Sequence, residues 1–124
     1  MARILIAEDE NDLRGLIVRG LAMDGHEVTA ATDGAHALEH LSQPDTHYDL
    51  LLTDIQMPVM DGIALALVAA RDHPRLTILL MTGYAHQRER ASGLDALIHD
   101  VIAKPISLAD LRGRVNSALA ASAH

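Results

Sequence analysis

Leu50-Leu51-Leu52-Thr53-Asp54 runs into a Pro- and Gly-containing loop and then into Ile63, Leu67 and Val68 at helical spacing. An unbroken apolar run of this length reads as a strand covered on both faces. It ends in a carboxylate, and the helix that follows makes the stretch a β-α unit. Pro74 closes that helix.

The same unit recurs to either side. Upstream, Ile4-Leu5-Ile6-Ala7 is a second continuous apolar run, followed by Leu13, Leu16, Ile17 and Leu21 at helical spacing and by Gly25 as a C-cap. Val28 to Ala31 is a short strand. Asp33-Gly34 opens a helix with Leu38 and Leu41 inward, and Gln43-Pro44-Asp45 ends it. Downstream, Leu76 to Met81 is a strand that stops at Thr82-Gly83. The segment Gln87 to Ala96 is the least regular, because Ser92-Gly93 interrupts it. Val101-Ile102-Ala103 is a last strand, and Ser107 caps a final helix through Leu119. Five β-α repeats predict an α/β fold, a doubly wound parallel sheet with helices on both faces and strand order 2-1-3-4-5. Such sheets carry their sites beyond the carboxyl ends of the strands, at the topological switch point.

Four strand ends are polar there. The first ends in Glu8-Asp9, the third in Asp54, the fourth in Thr82 and the fifth in Lys104. Strands one and three are neighbours in the expected order, which gathers three carboxylates. Two carboxylates about 5 Å apart repel by roughly 3 kcal/mol at an effective dielectric near 20. Three acids against one ammonium leave a formal charge of −3 + 1 = −2, which a divalent cation cancels. All-oxygen ligands favour a hard ion, Mg²⁺ above all. A metal-neutralised acid cluster beside an ammonium and a hydroxyl suits a phosphoryl group. Asp54 is then the nucleophile, Lys104 offsets charge on the phosphoryl oxygens and Thr82 donates a hydrogen bond.

Composition narrows the rest. The chain has 124 residues, the size of a single domain, and ten Lys and Arg stand against 17 Asp and Glu, a net charge of −7. That balance argues against a nucleic-acid partner, which needs clustered cations. Without cysteine there is no disulfide or thiolate zinc site. No apolar run reaches the roughly 18 residues of a membrane span, and the N-terminus has no signal-peptide apolar core, so a cytoplasmic location is expected. Phe and Trp are absent. Lys104 is the sole lysine beside nine arginines. His36 and His40 share a helix face but lack a third ligand in the sequence, so they read as solvated rather than as a zinc pair. Arg88-Glu89-Arg90 reads as a solvated patch, and Met57 and Met60 as packing residues of the loop.

Glu8-Asp9, Asp54-Ile55-Gln56-Met57-Pro58-Val59-Met60-Asp61-Gly62, Thr82-Gly83 and Lys104-Pro105, in that order, resemble the receiver domain of bacterial two-component response regulators. The resemblance covers nearly the whole chain. It implies a five-stranded flavodoxin-like fold, residues 1–124 as one receiver domain with no output domain, and Asp54 as the phosphoacceptor. It further implies Asp9 as the main Mg²⁺ ligand, Glu8 as its acidic partner and the Gln56 carbonyl as a third group on the metal. Thr82 and Lys104 would contact the phosphoryl oxygens, and the Lys104-Pro105 peptide would be cis. The expected phosphodonor is a histidine kinase or a histidine phosphotransfer protein, and the expected output is protein contact.

Leu51-Leu52-Thr53-Asp54-Ile55, Met81-Thr82-Gly83-Tyr84-Ala85 and Leu94-Asp95-Ala96-Leu97 are similar to one branch, the CpdR-type alphaproteobacterial regulators. That similarity implies a stand-alone receiver controlled by a phosphorelay, whose unphosphorylated form is an adaptor for the ClpXP protease. The chain departs from the common receiver pattern at Val101, where an aromatic switch residue is frequent. It also departs at Ile106, where Phe is frequent after Lys-Pro, and at Leu97-Ile98, where Gly-Ala is frequent. With Val101 too small to act as a switch ring, Tyr84 is the expected moving or shielding aromatic. The rival to a signalling module is an aspartyl-phosphate phosphatase of the haloacid-dehalogenase type. Such an enzyme needs a second Asp two residues after the nucleophile, where this chain has Gln56. A pseudo-receiver that binds partners without phosphorylation is a third reading, and the intact set of site residues weighs against it.

Overall fold

A computed structural model describes residues 2–83 and 89–122. Strands β1 (Arg3–Ala7), β2 (Glu27–Ala31), β3 (Leu50–Asp54), β4 (Thr77–Thr82) and β5 (Asp100–Ala103) form one sheet in the order β2-β1-β3-β4-β5. Every pairing is parallel. Helices α1 (Asn11–Met23), α2 (Gly34–Leu41), α3 (Gly62–Asp72) and α4 (Leu108–Ser122) connect and close the unit. This is the doubly wound 2-1-3-4-5 sheet expected from the repeat.

Period-two alternation divides the core. Ile4, Ile6, Leu50, Leu52, Leu79, Met81 and Ile102 face α1 and α4, where they meet Ile17, Leu21, Leu111, Val115 and Ala118. Leu5, Leu51, Ile78 and Leu80 face the other way, onto Ala37 and Leu41 of α2 and Leu65, Ala66 and Ala69 of α3. Both faces of β3 are covered, which is why its sequence does not alternate. Each fully buried Leu or Ile contributes about 1.5–3 kcal/mol. The core is built without any Phe or Trp.

The helix ends follow the local sequence. Asp33 and Asp61 cap α2 and α3 by accepting from the backbone N–H groups of His36 and Ala64. Ser107 Oγ accepts from the N–H of Asp110 at 3.1 Å and caps α4, which runs to Ser122 and so beyond its expected end at Leu119. Gly25, at φ +85°, ends the turn after α1. Where α1 crosses α4, Gly20 lies so close to Leu108 that an added Cβ would stand 2.6 Å from its side chain.

The irregular reading of the fourth β-α connection holds for its described part. Residues 89–91 are helical and Ser92–Leu94 form a 3₁₀ turn. Leu97 is 44% exposed whereas Ile98 is buried in the α2–α3 core. Glu89 and Arg90 are exposed, as expected of a solvated patch, and the Arg90 guanidinium also reaches Asp61 Oδ2 at 2.8 Å, tying this connection to the α3 cap; Arg88 lies outside the described residues. The His36 and His40 rings lie against each other at a 40° tilt, centroids 4.8 Å apart, at the partly exposed surface of α2. Met57 is buried and Met60 partly so, both packed in the α2–α3 core as expected.

Candidate functional site

Parallel strands that start in register also end together. Ala7 pairs with Thr53, Asp54 with Met81 and Thr82 with Ala103. The residues that close β1, β3, β4 and β5 therefore meet at one edge. Glu8 and Asp54 are 1% and 7% exposed, while Asp9 stands open to solvent. One carboxylate oxygen from each of the three lies within 4.8 Å of the others. The Lys104 ammonium reaches into this cluster, 3.0 Å from Glu8 Oε1 and 3.2 Å from Asp54 Oδ2. The remaining oxygens are held by backbone. Glu10 N–H donates to Glu8 Oε2 at 3.2 Å, and Ile55 N–H donates to Asp54 Oδ1 at 3.0 Å.

The loop after Asp54 is shaped by close approach. A Cβ on Gly62 would fall 2.0 Å from the Asp54 carbonyl oxygen, so only glycine lets α3 begin there. Gly62 N–H donates to the Ile55 carbonyl at 2.8 Å and closes the loop. Val59, at its tip, has φ +69° and is 84% exposed, an unfavourable backbone state for a β-branched residue. Thr82 is buried at the end of β4, and its carbonyl accepts from Lys104 N–H at 2.7 Å, which sets β5 against it. The Lys104-Pro105 peptide is cis, as expected.

The electrostatics are those of acids kept against their preference. Burial pushes the Asp54 carboxyl above its ordinary value, and the Lys104 charge only partly offsets this. Burial pushes Glu8 up as well, with the Lys104 hydrogen bond opposing it and Asp54 adding to it. Burial alone would lower Lys104, but its hydrogen bond to Glu8 and the Asp54 charge outweigh that and raise it. Three acids and one ammonium leave excess negative charge in a low-dielectric pocket. The all-oxygen donor set, open to water at Asp9, fits a hard divalent cation. The same edge opens into a cleft of about 610 Å³, with Asp9, Asp54, Gln56, Gly83 and Lys104 at its polar end.

The structure thus brings Glu8, Asp9, Asp54 and Lys104 into one cluster, with Thr82 and Gln56 beside it. Val101 is half-buried and packs against the α2–α3 core. The expected role of Tyr84 falls outside the described residues. Two residues escaped the sequence reading. Arg14 donates through one guanidinium nitrogen to the Glu8 carbonyl at 2.9 Å and through the other to Asn11 Oδ1 at 2.5 Å, bracing the loop that carries Glu8 and Asp9. Its signal was position, one helical turn into α1 behind an acidic loop. Arg90, through Asp61, had no local signal.

A doubly wound sheet with three acids and a lysine at its carboxyl edge defines a class of phosphate-handling α/β domain. Residues 4–116 match the response regulator receiver domain family, and the chain belongs to it. It is a receiver domain of a two-component system. It is 40% identical over 122 residues to the response regulator receiver protein CpdR of Brucella abortus, covering 98% of this chain and 100% of that protein. It is 32% identical to the transcriptional regulatory protein PrrA of Mycobacterium leprae, covering 94% of this chain but only 49% of that longer protein. Among solved structures, the receiver domain protein (CheY-like) of Methanospirillum hungatei superposes with a TM-score of 0.89 at 27% identity, covering 98% of this chain and 96% of that one. The response regulator TrrA of Thermotoga maritima, in complex with Mg²⁺-BeF, gives 0.83 at 28% identity over 95% and 99%. Among the described residues no helix is long and apolar enough to cross a membrane.

Proposed function

We propose that this receiver is a phosphorylation-switched protein whose acceptor is Asp54. The observation that carries this is the position of Asp54, buried, 3.2 Å from the Lys104 ammonium and within one ligand sphere of Glu8 and Asp9. An Asp54 carboxylate oxygen attacks the phosphorus of a phosphohistidine on a histidine kinase or phosphotransfer protein. The P–N bond breaks, and the donor's imidazole, protonated on its other ring nitrogen, leaves with the electron pair as neutral imidazole. Glu8, Asp9 and Asp54, with the Gln56 carbonyl, would hold Mg²⁺, which supplies charge neutralisation to the phosphoryl oxygens. Lys104 turns from Asp54 to a phosphoryl oxygen, and Thr82 donates a hydrogen bond to another.

Support for the metal comes from the donor chemistry here and from the Mg²⁺-BeF complex of the TrrA relative. In this reading the domain is a phosphoacceptor and not a turnover enzyme. The full-length similarity to CpdR supports a cytoplasmic regulator that signals by protein contact, with delivery of substrates to the ClpXP protease as its output. Intact-mass measurement after incubation with acetyl phosphate tests the assignment. One phosphoryl group is expected on the wild type with Mg²⁺, little without it, and none on Asp54→Asn. A phosphoryl group gained by Asp54→Asn, or steady turnover of phosphomonoesters, would contradict it. Capture of ClpX by wild type but not by phosphorylated protein tests the output.

A further inference from the structure

The polar end of the cleft belongs to the phosphoryl site, but the rest of it does not. Beyond Asp54 and Lys104 the walls are Leu13, Leu16 and Ile17 of α1 and Ile106, Leu108 and Leu111 of α4 and the turn before it. Ile106 follows Lys104-Pro105, and no aromatic side chain lines the cleft among the described residues. Leu16 stands at the rim, 44% exposed. The volume of about 610 Å³ lies within the range of small-molecule sites. Charge and apolarity are thus segregated along one cavity. Its charged end is complementary to a phosphoryl group, through Lys104 and a cation on the acids. Its other end takes hydrocarbon.

We propose that this apolar extension is a subsite for the leaving group of a small-molecule phosphodonor, and that it selects acyl phosphates with a short alkyl chain over acetyl phosphate. The inference rests on Asp54 as acceptor. In the step, an Asp54 oxygen bonds to phosphorus and the P–O bond to the acyl oxygen breaks. The carboxylate departs with the electron pair and needs no proton. A donor whose phosphoryl group lies at Asp54 places its acyl tail against Leu13, Leu16 and Ile106. Acetyl and butyryl phosphate release carboxylates of similar basicity, so they differ here in two methylenes and little else. Burial of both gives roughly a tenfold preference in the second-order rate constant.

The experiment measures phosphoprotein formation by intact mass at donor concentrations well below saturation, with Mg²⁺, for both donors. The expected ratio of butyryl to acetyl phosphate is about ten in the wild type and in Leu67→Glu, a variant on exposed α3 far from the cleft. In Leu16→Glu, which puts a carboxylate at the rim, and in Ile106→Phe, which fills the cavity, the ratio should fall toward one. Equal rates for the two donors in the wild type would overturn the subsite and leave the acceptor assignment standing. A preference that survives in both variants would overturn it too. Phosphorylation by neither donor would overturn the subsite, whereas a phosphoryl group gained by Asp54→Asn from either donor would remove the acceptor assignment, and the subsite with it.

Discussion

Asp54 and Asp24 are both aspartates held by a cation, yet burial raises the Asp54 carboxyl while the Arg112 hydrogen bonds bring Asp24 down to about 2. They sit at opposite ends of the sheet. At the amino end, Arg112 on α4 grips both Asp24 oxygens, at 3.0 and 2.5 Å, and Asn116 Nδ2 adds a third bond at 3.2 Å. His26 links the same cluster to the first strand, with Nε2 2.8 Å from Asn116 Oδ1 and Nδ1 accepting from Ala2 N–H at 3.2 Å. Asp24 thus has a cation of its own. At the carboxyl end Glu8 and Asp54 share one ammonium, and Asp9 adds its charge alongside. One end of α1 is fastened by charge, and the other end is kept short of cations. The contrast shows where the fold gives up stability, at the acid cluster of the carboxyl edge.

Removing Lys104 sharpens the contrast most. Lys104→Met leaves two buried carboxylates without their cation, and a loss of about 3 kcal/mol is expected in chemical denaturation without metal. The same variant should gain more from added Mg²⁺ than wild type does, because its acid cluster has lost a competing charge. A variant as stable as wild type would mean that the ammonium is not what makes the buried acids tolerable. Asp54→Asn should act in the opposite sense and raise the melting temperature at neutral pH, since it removes a charge that burial disfavours. Stability from Asp54 is fully present below its ordinary value and falls as pH rises through the raised one, so the gain should vanish in acid. A lower melting temperature at neutral pH would contradict this.

Val59→Gly tests strain at the same end. At φ +69° and without packing, the valine is disfavoured by about 1–2 kcal/mol. Glycine carries its own entropic cost, so a net stabilisation of about 0.5–1 kcal/mol is expected by denaturant midpoint. Arg14 is tested by sign. If its guanidinium only adds positive charge, Arg14→Gln should tighten Mg²⁺ binding. If it braces the Glu8-Asp9 loop, both Arg14→Gln and Arg14→Lys should weaken binding severalfold by calorimetry, because lysine cannot serve the Glu8 carbonyl and Asn11 together. The bracing outcome is expected.

The smallest effect is at the fastened end. The folded Asp24 value is lowered, so its contribution is full above about 3.8 and is lost as pH falls through about 2. Asp24→Asn should melt below wild type at pH 6, and the two curves should converge toward pH 2. A gap that persists in acid would assign the loss to packing.

The two ends also differ in how far the sequence reveals them. Asp54, Glu8 and Lys104 were legible because a parallel sheet aligns its strand ends, so apolar runs that stop in polar residues name an edge. The caps at Asp33 and Ser107 followed local rules, whereas the cis peptide at Lys104-Pro105 was expected only from the family resemblance. The Asp24, Arg112 and Asn116 cluster was not legible, since it depends on how α1 and α4 lie against each other. The Arg90 to Asp61 bond failed for the same reason, as it joins segments 29 residues apart. Val59 at positive φ was hidden because the residue type argues against the conformation it adopts. Arg14 looked like any helical arginine until its reach back to Glu8 was visible.

If Glu8, Asp9 and Asp54 hold a divalent cation as proposed, with Asp9 completing the ligand set, Mg²⁺ must stabilise the native fold. Melting temperature as a function of Mg²⁺ concentration, for wild type and Asp9→Asn, tests it most directly. Binding to the native state raises stability by RT ln(1 + [L]/Kd). Wild type should rise steadily with Mg²⁺, whereas Asp9→Asn should start no lower without metal and respond far less. Equal rises in the two proteins would place the Mg²⁺ site away from Asp9.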